Sequence, residues 1–221
     1  MKIEIGNAGY VECLDVFGDD LLVVNAARVS FNKESTELVE RDEKLINYLA
    51  KNGHITPFFH PQIRFRIKMP IFVAREWYRH QIGFARNEVS RRYVFTEPEF
   101  YLPEVFRQND PNLKQGSKNE SVKDSQICSH GMKEVYACAS HIYKGLIEQG
   151  LCPEQARMIL PQSMYTEFIE TGSLSAYARL CGLRLDPHAQ KEIQEFAEAV
   201  SKILAEKFPA SWKALSKSWD A

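Results

Sequence analysis

The chain has 221 residues, 44% of them hydrophobic and 26% charged, with a formal net charge of −1. That balance suits a globular domain and gives the surface as a whole no attraction for nucleic acid or an acidic membrane, so any anion site has to be local. No apolar run reaches the roughly 18 residues that a membrane helix needs.

The first residues lack the apolar core of a signal peptide, and the expectation is a cytoplasmic protein. They read instead as strands: Ile3 and Ile5 alternate with Lys2 and Glu4, and Gly6 and Asn7 turn the chain. Residues 35–52 read as a helix with Leu45, Ile46 and Leu49 on one face and Gly53 placed as its C-cap glycine. Residues 62–69 alternate Ile63, Phe65, Ile67 and Met69 with Gln62, Arg64, Arg66 and Lys68, the pattern of a strand with one buried face. Pro70 can open the helix of residues 71–80. Residues 81–93 read as a loop returning to an extended stretch, Tyr93 to Phe95.

Residues 103–124 are polar and poor in apolar side chains, which predicts a mobile loop. A long helix is predicted over 125–149, a short one after Pro153, a strand from Tyr165 to Thr171, and a helix from a Ser173 cap to Cys181. In the last helix Ile193, Phe196, Ala197, Val200, Ile203 and Leu204 recur at three and four, with Asp186 as the predicted cap and Pro209 after its end. There are no repeats and no βαβ regularity. The prediction is one α+β domain over residues 1–221, a mixed sheet packed with helices.

The five cysteines, Cys13, Cys128, Cys138, Cys152 and Cys181, are widely spaced and include no C-x-x-C pair. A disulfide framework and a zinc site are therefore not expected, and most of the thiols are predicted to be small buried apolar groups.

The segment REWYRHQIGFARNEVSRRY, residues 75–93, holds five arginines, Arg75, Arg79, Arg86, Arg91 and Arg92, opposed only by Glu76 and Glu88. Arginine forks bind phosphate bidentately, and Ser90 can add a hydroxyl donor. Three readings are open: a solvated basic face, a nucleic-acid patch with Trp77, Tyr78 and Phe84 for stacking, and a nucleotide-phosphate site. Asn87 and Glu88 favour the last, because a plain phosphate patch has no use for a carboxylate.

RHQIGFARNEVSRRY resembles the signature of the flavin-dependent thymidylate synthases, R-H-R, a serine, then N-E-x-S-x-R-Y. AARVSF (26–31), GHITPF (53–58), PIFVAREW (70–77), QARMILP (155–161) and LRLDPHAQ (183–190) resemble further blocks of that family, in its order. There are departures. Gln81 stands at the third position of R-H-R, and the signature serine has no clear counterpart, Phe84 or Ala85 falling there with one extra residue before Asn87. Glu76 stands where a glutamine is common, and Phe59 where an acidic residue can occur.

The resemblance implies an enzyme that methylates dUMP with 5,10-methylenetetrahydrofolate, FAD and NADPH and uses no cysteine nucleophile. The flavin supplies the hydride chemistry, and the protein orients the rings. For dUMP it implies Glu76, Trp77, Tyr78, Arg79, Glu88, Val89, Ser90, Arg91, Arg92, Arg157 and Arg184. Ser90, Arg92 and Arg157 take the phosphate. Arg184 lies against the uracil as the catalytic cation, where it stabilises charge developing on the ring. For FAD it implies Ser30, His54, Thr56, Arg79, His80, Gln81, Ile82, Glu88, Ser173, Ser175, Arg179 and His188. It further implies a homotetramer with shared active sites and no metal, nucleic-acid or membrane partner. A sibling enzyme acting on UMP, or leaving a hydroxymethyl group, is the alternative that the departures motivate.

Overall fold

The computed structural model describes residues 1–112, 116–217 and Trp219. Five strands, β1 (Lys2–Ile5), β2 (Gly9–Phe17), β3 (Gln62–Pro70), β4 (Phe84–Glu88) and β5 (Tyr165–Ser173), form one sheet in the order β1-β2-β3-β5-β4. Every pairing in it is antiparallel. The sheet is thus not the expected mixed one: even the long helical connections from β2 to β3 and from β4 to β5 return the chain antiparallel to its neighbour.

The alternation read in residues 62–69 is present in β3: Ile63, Phe65, Ile67 and Met69 are all fully buried. Each such side chain contributes about 1.5–3 kcal/mol by leaving water. The other face of β3 is polar and paired, Arg66 with Glu12 and Glu167, and Lys68 with Glu99.

Eight helices surround the sheet among the described residues: α1 (Asp20–Arg28), α2 (Glu40–Lys51), α3 (Ile71–Trp77), α4 (Ser125–Glu148), α5 (Pro153–Ala156), α6 (Leu174–Arg184), α7 (Lys191–Lys207) and α8 (Pro209–Ser216). Pro70 is the N-cap of α3, Ser173 caps α6 by accepting from the Ala176 N–H at 3.2 Å, and Gly53 after α2 has φ +67°, a left-handed conformation that glycine adopts without strain.

Several elements, α8 among them, differ from the sequence reading. Helix α1 was not foreseen; the Asp19 side chain caps it by accepting from the Leu22 N–H at 2.9 Å. Its buried Asp20 carboxylate accepts from the Ala210 and Ser211 N–H groups at 2.8 Å, so it caps α8, which Pro209 opens. Residues 84–88 form β4 instead of a loop, and Tyr93 to Phe95 form no strand. Helix α7 starts after Gln190, not at Asp186, because Asp186 is spent on a turn in which its carboxylate accepts from the His188 N–H at 2.7 Å.

The segment expected to be mobile, 103–124, includes residues 113–115, which lie outside the described residues. On either side of them Arg107 bridges Ser121, and the Val122 N–H donates to the Phe106 carbonyl at 2.7 Å. The cysteines are free, and only Cys181 is buried; contrary to expectation Cys128 and Cys138 are exposed, because α4 leaves most of its surface uncovered, and so is Cys152, at the N-cap of α5.

Candidate active site

Two clusters of polar side chains draw on the arginine-rich segment. The first lies where the C-terminal ends of α3 and α6 meet. Its cavity of about 480 Å³ is lined by Glu76, Arg79, Arg107, Arg184, His188 and Lys191, among others. The Arg184 Nε donates to His80 Nε2 at 3.0 Å, and an Nη donates to the Glu76 carbonyl at 3.4 Å. The other Nη stands 4.0 Å from a Glu76 carboxylate oxygen that has no hydrogen-bond partner. Burial, together with the facing charges of Arg184, Arg86 and Arg179, lowers the His80 pKa from 6.5 to about 4. The imidazole is therefore neutral near pH 7 and can accept a hydrogen bond. Arg79 is exposed and makes no ion pair among the described residues.

The second cluster surrounds a cavity of about 430 Å³ lined by Glu88, Val89, Ser90, Arg91 and Arg157, with Lys68, Tyr165, Thr166 and Glu167. β4 delivers Glu88, which accepts from the Thr166 hydroxyl at 2.6 Å. The turn after β4 folds back on itself: the Arg92 backbone N–H and Nε both donate to the Ser90 hydroxyl at 3.3 Å. Arg92 also faces Glu154 of α5 at 3.8 Å, which ties the turn to the helix that leads into Arg157. The two cavities share no lining residue.

Between them lies a buried brace. Glu170, in the middle of β5 and fully buried, pairs with Arg86 Nε and accepts from the Trp77 indole at 3.2 Å. The buried Tyr177 hydroxyl of α6 faces the same carboxylate. Of the five arginines read as one anion-binding cluster, Arg86 is thus withdrawn into the interior.

Trp77 and Tyr78 also turn their side chains inward. Trp77 is fully buried, since it follows Val73 and Ala74 on the core face of α3. The Tyr78 hydroxyl is buried too, and its ring meets Phe168 edge-on at 5.0 Å.

The other predicted flavin residues are dispersed. Ser30 is exposed in the 3-10 turn Val29–Phe31, and Thr56 is exposed at the start of Thr56–Phe59. His54 is exposed with its ring edge-on to Tyr48 at 5.9 Å. Gln81 and Ile82 are exposed, and Arg179 of α6 reaches across to donate to the Ile82 carbonyl. Ser173 and Ser175 are buried in the first turn of α6. The extra residue in the signature coincides with a tight turn: Gly83 has φ +84°, and a Cβ there would come within 2.9 Å of the Ala176 Cβ.

Sequence reasoning missed Arg107 and Lys191 in the first cavity, and Lys68, Tyr165, Thr166 and Glu167 in the second. The strand alternation identified the outward face of β3, but only sheet pairing shows that Lys68 stands opposite Glu167.

Comparison with known proteins settles the family. The family model described as "Thymidylate synthase complementing protein" matches residues 12–210. The chain is 40% identical over 220 residues to a protein of Thermosipho africanus named flavin-dependent thymidylate synthase, covering 98% of this chain and 95% of that relative. The chain belongs to the flavin-dependent thymidylate synthase family. A relative from Thermotoga neapolitana bears the same name and is 41% identical over 217 residues, covering 98% of this chain and 95% of that relative. Among solved structures, the UMP/dUMP methylase PolB from Streptomyces cacaoi, bound with 5-Br dUMP, superposes with a TM-score of 0.87 at 30% identity, covering 97% of each chain. The same protein bound with 5-Br UMP gives a TM-score of 0.81, covering 96% of this chain and 94% of that one.

The donor set fits the group that gives the family its name. FAD carries a diphosphate, and the first cavity is lined by Arg79, Arg107, Arg184 and Lys191, of which Arg107 is paired with Glu192 and Arg184 faces Glu76. Because Arg79 has no acidic partner among the described residues, it can take a phosphate without breaking an ion pair seen there.

Proposed function

We propose that this chain converts dUMP to dTMP by reductive methylation, drawing the one-carbon unit from 5,10-methylenetetrahydrofolate and reducing equivalents from NADPH through FAD. Residues 1–221 act as one catalytic domain in the cytoplasm. The observation that carries the reading is Arg184, a cation held by His80 and Glu76 at the wall of a cavity rich in arginine. A fixed guanidinium in such a site stabilises negative charge appearing on a pyrimidine ring without reorganising first.

The second cluster is the nucleotide-phosphate half of the site. Ser90, Arg92 and Arg157 bind the phosphate, with Arg91 beside them, and Glu88 and Val89 lie along the nucleoside. In the first cluster Arg79 and His188 hold FAD, with Arg179, Gln81 and Ile82 on its flank and Ser30, His54 and Thr56 completing the cradle. FAD, when bound, supplies the hydride that completes the methyl group. The chain's own residues bind, orient and exclude water.

The two half-sites have separate cavities in one chain, and α4 exposes Ile127, Met132, Val135 and Ile142. Both features support a homotetramer in which one subunit's phosphate half completes another's flavin half. The test of the activity is a product assay with FAD, NADPH, methylenetetrahydrofolate and dUMP, the products weighed by mass spectrometry. A gain of one methyl that needs both FAD and NADPH is expected; a folded, flavin-loaded protein that yields none refutes the reading.

A second reading is favoured by the solved structures named UMP/dUMP methylase, one of them bound with 5-Br UMP. In that reading UMP is methylated or hydroxymethylated as well as, or instead of, dUMP. Faster turnover of UMP than of dUMP in the same assay would establish it.

A further inference from the structure

We propose that His80 is a positioning residue for Arg184: Nε2 of its buried imidazole accepts the Arg184 Nε–H and, with the Glu76 carbonyl, sets the plane in which the guanidinium meets the substrate. The inference rests on the reading of Arg184 as the residue that faces the uracil. It gives His80 a different task from that of holding the flavin.

The geometry carries it. An arginine side chain has many rotamers, and a free one would lose that freedom only as the reaction begins. Here two of its donors are satisfied on one edge by α3 and the turn that follows it, so one Nη is left without a hydrogen bond among the described residues, on a side chain that lines the cavity. The Glu76 carboxylate, at 4.0 Å, attracts the guanidinium without a hydrogen bond and does not set its plane.

The surroundings of His80 keep its acceptor available. Three cations face it, Arg184 and Arg179 from α6 and Arg86 from β4, and its backbone N–H donates to the Trp77 carbonyl at the end of α3. A second proton on the imidazole would remove the only lone pair that can receive Arg184 and would put like charges in contact. The buried Arg86–Glu170 pair thereby contributes to the site from a distance, because Arg86 opposes protonation of His80 while Glu170 holds Arg86 in the interior.

The test compares wild type with His80→Leu, His80→Gln, Arg184→Ala and the double variant His80→Leu/Arg184→Ala. Two quantities are read: flavin affinity by absorbance titration without turnover, and the single-turnover rate at saturating FAD and dUMP. His80→Leu is expected to slow the rate about 10- to 100-fold while flavin affinity stays within about threefold. His80→Gln, whose amide oxygen can accept, is expected to recover to within about fivefold of wild type. In the Arg184→Ala background, His80→Leu is expected to cost less than about twofold, since groups acting as one unit are not additive. A loss as large in that background as in wild type overturns the proposal. So does a His80→Leu variant that binds flavin about tenfold more weakly yet keeps the full rate once loaded, which marks a flavin ligand. Should His80→Leu not fold, the acid side decides. The wild-type rate is expected to fall below pH 5 while that of His80→Gln holds, and parallel declines overturn the inference. An unchanged rate in Arg184→Ala sinks the reading of Arg184 itself, whatever His80 does, so the two failures are distinguishable.

Discussion

Arg86 and Glu170 form a buried ion pair between β4 and β5, with the Arg86 guanidinium packed between the rings of Tyr78 and Phe84, at 5.4 and 4.7 Å from their centroids. The pair joins the strand that leads to the phosphate cluster, through Arg86, to the helix that carries Arg79 and His80 at its end, through the Trp77 indole. It is therefore the mechanical link between the two halves of the candidate site. Burial raises the pKa of Glu170 while Arg86 opposes that rise, so the carboxylate depends on its partner to stay charged.

Glu170→Ala is expected to destabilise the protein by about 3–5 kcal/mol, because it leaves the Arg86 cation buried and alone. Removing an exposed helix pair such as Glu40–Lys44 is expected to cost only about 0.3–0.5 kcal/mol. Urea unfolding of the two variants side by side measures the contrast. Similar losses would mean that the Arg86 charge finds water or another partner.

Arg184→Ala is expected to lower turnover by about 100- to 1,000-fold, the cost of removing one preorganised electrostatic stabiliser, with flavin still bound. Product formation and flavin absorbance on the same sample give both answers. Loss of flavin with chemistry intact would assign Arg184 to the cofactor instead.

Arg157→Ala is expected to raise the KM for dUMP about 10- to 100-fold with a smaller change in kcat, because a phosphate contact is present in ground and transition states alike. Ser90→Ala should move the same parameter in the same direction by less. Steady-state kinetics decides, and an unchanged KM in Arg157→Ala excludes a phosphate role.

The pH dependence of stability has a definite sign at His80. Its folded pKa, about 4, lies below the ordinary 6.5, so the unfolded chain takes up the proton first. This contribution is fully present above pH 6.5 and is lost as pH falls toward 4, by on the order of 3 kcal/mol. Denaturant titrations from pH 7.5 to 4.5 should show wild type losing more stability than His80→Gln. Equal losses would mean that the imidazole is solvated.

Periodicity alone determined much of this protein. The alternation of Ile63, Phe65, Ile67 and Met69 defines the central strand, and the three-and-four spacing from Ile193 to Leu204 defines α7, because apolar spacing directly encodes which face is buried. The signature residues 79–93 and the blocks around 30, 54, 157 and 184 were enough to indicate the family and its chemistry. Only the tertiary structure decided which of five neighbouring arginines meets solvent. Arg86 and Arg79 are alike in sequence, yet a strand that places Arg86 against Glu170 draws one inside, while the end of α3 leaves the other at a cavity. Charge in a sequence is local, whereas its partner lay 84 residues away across the sheet. The same holds for Trp77, which composition offered as a surface ring and the helix face turned into the core, and for the contact of His80 with Arg184, 104 residues apart. Such pairings are made by packing, and no local pattern encodes them.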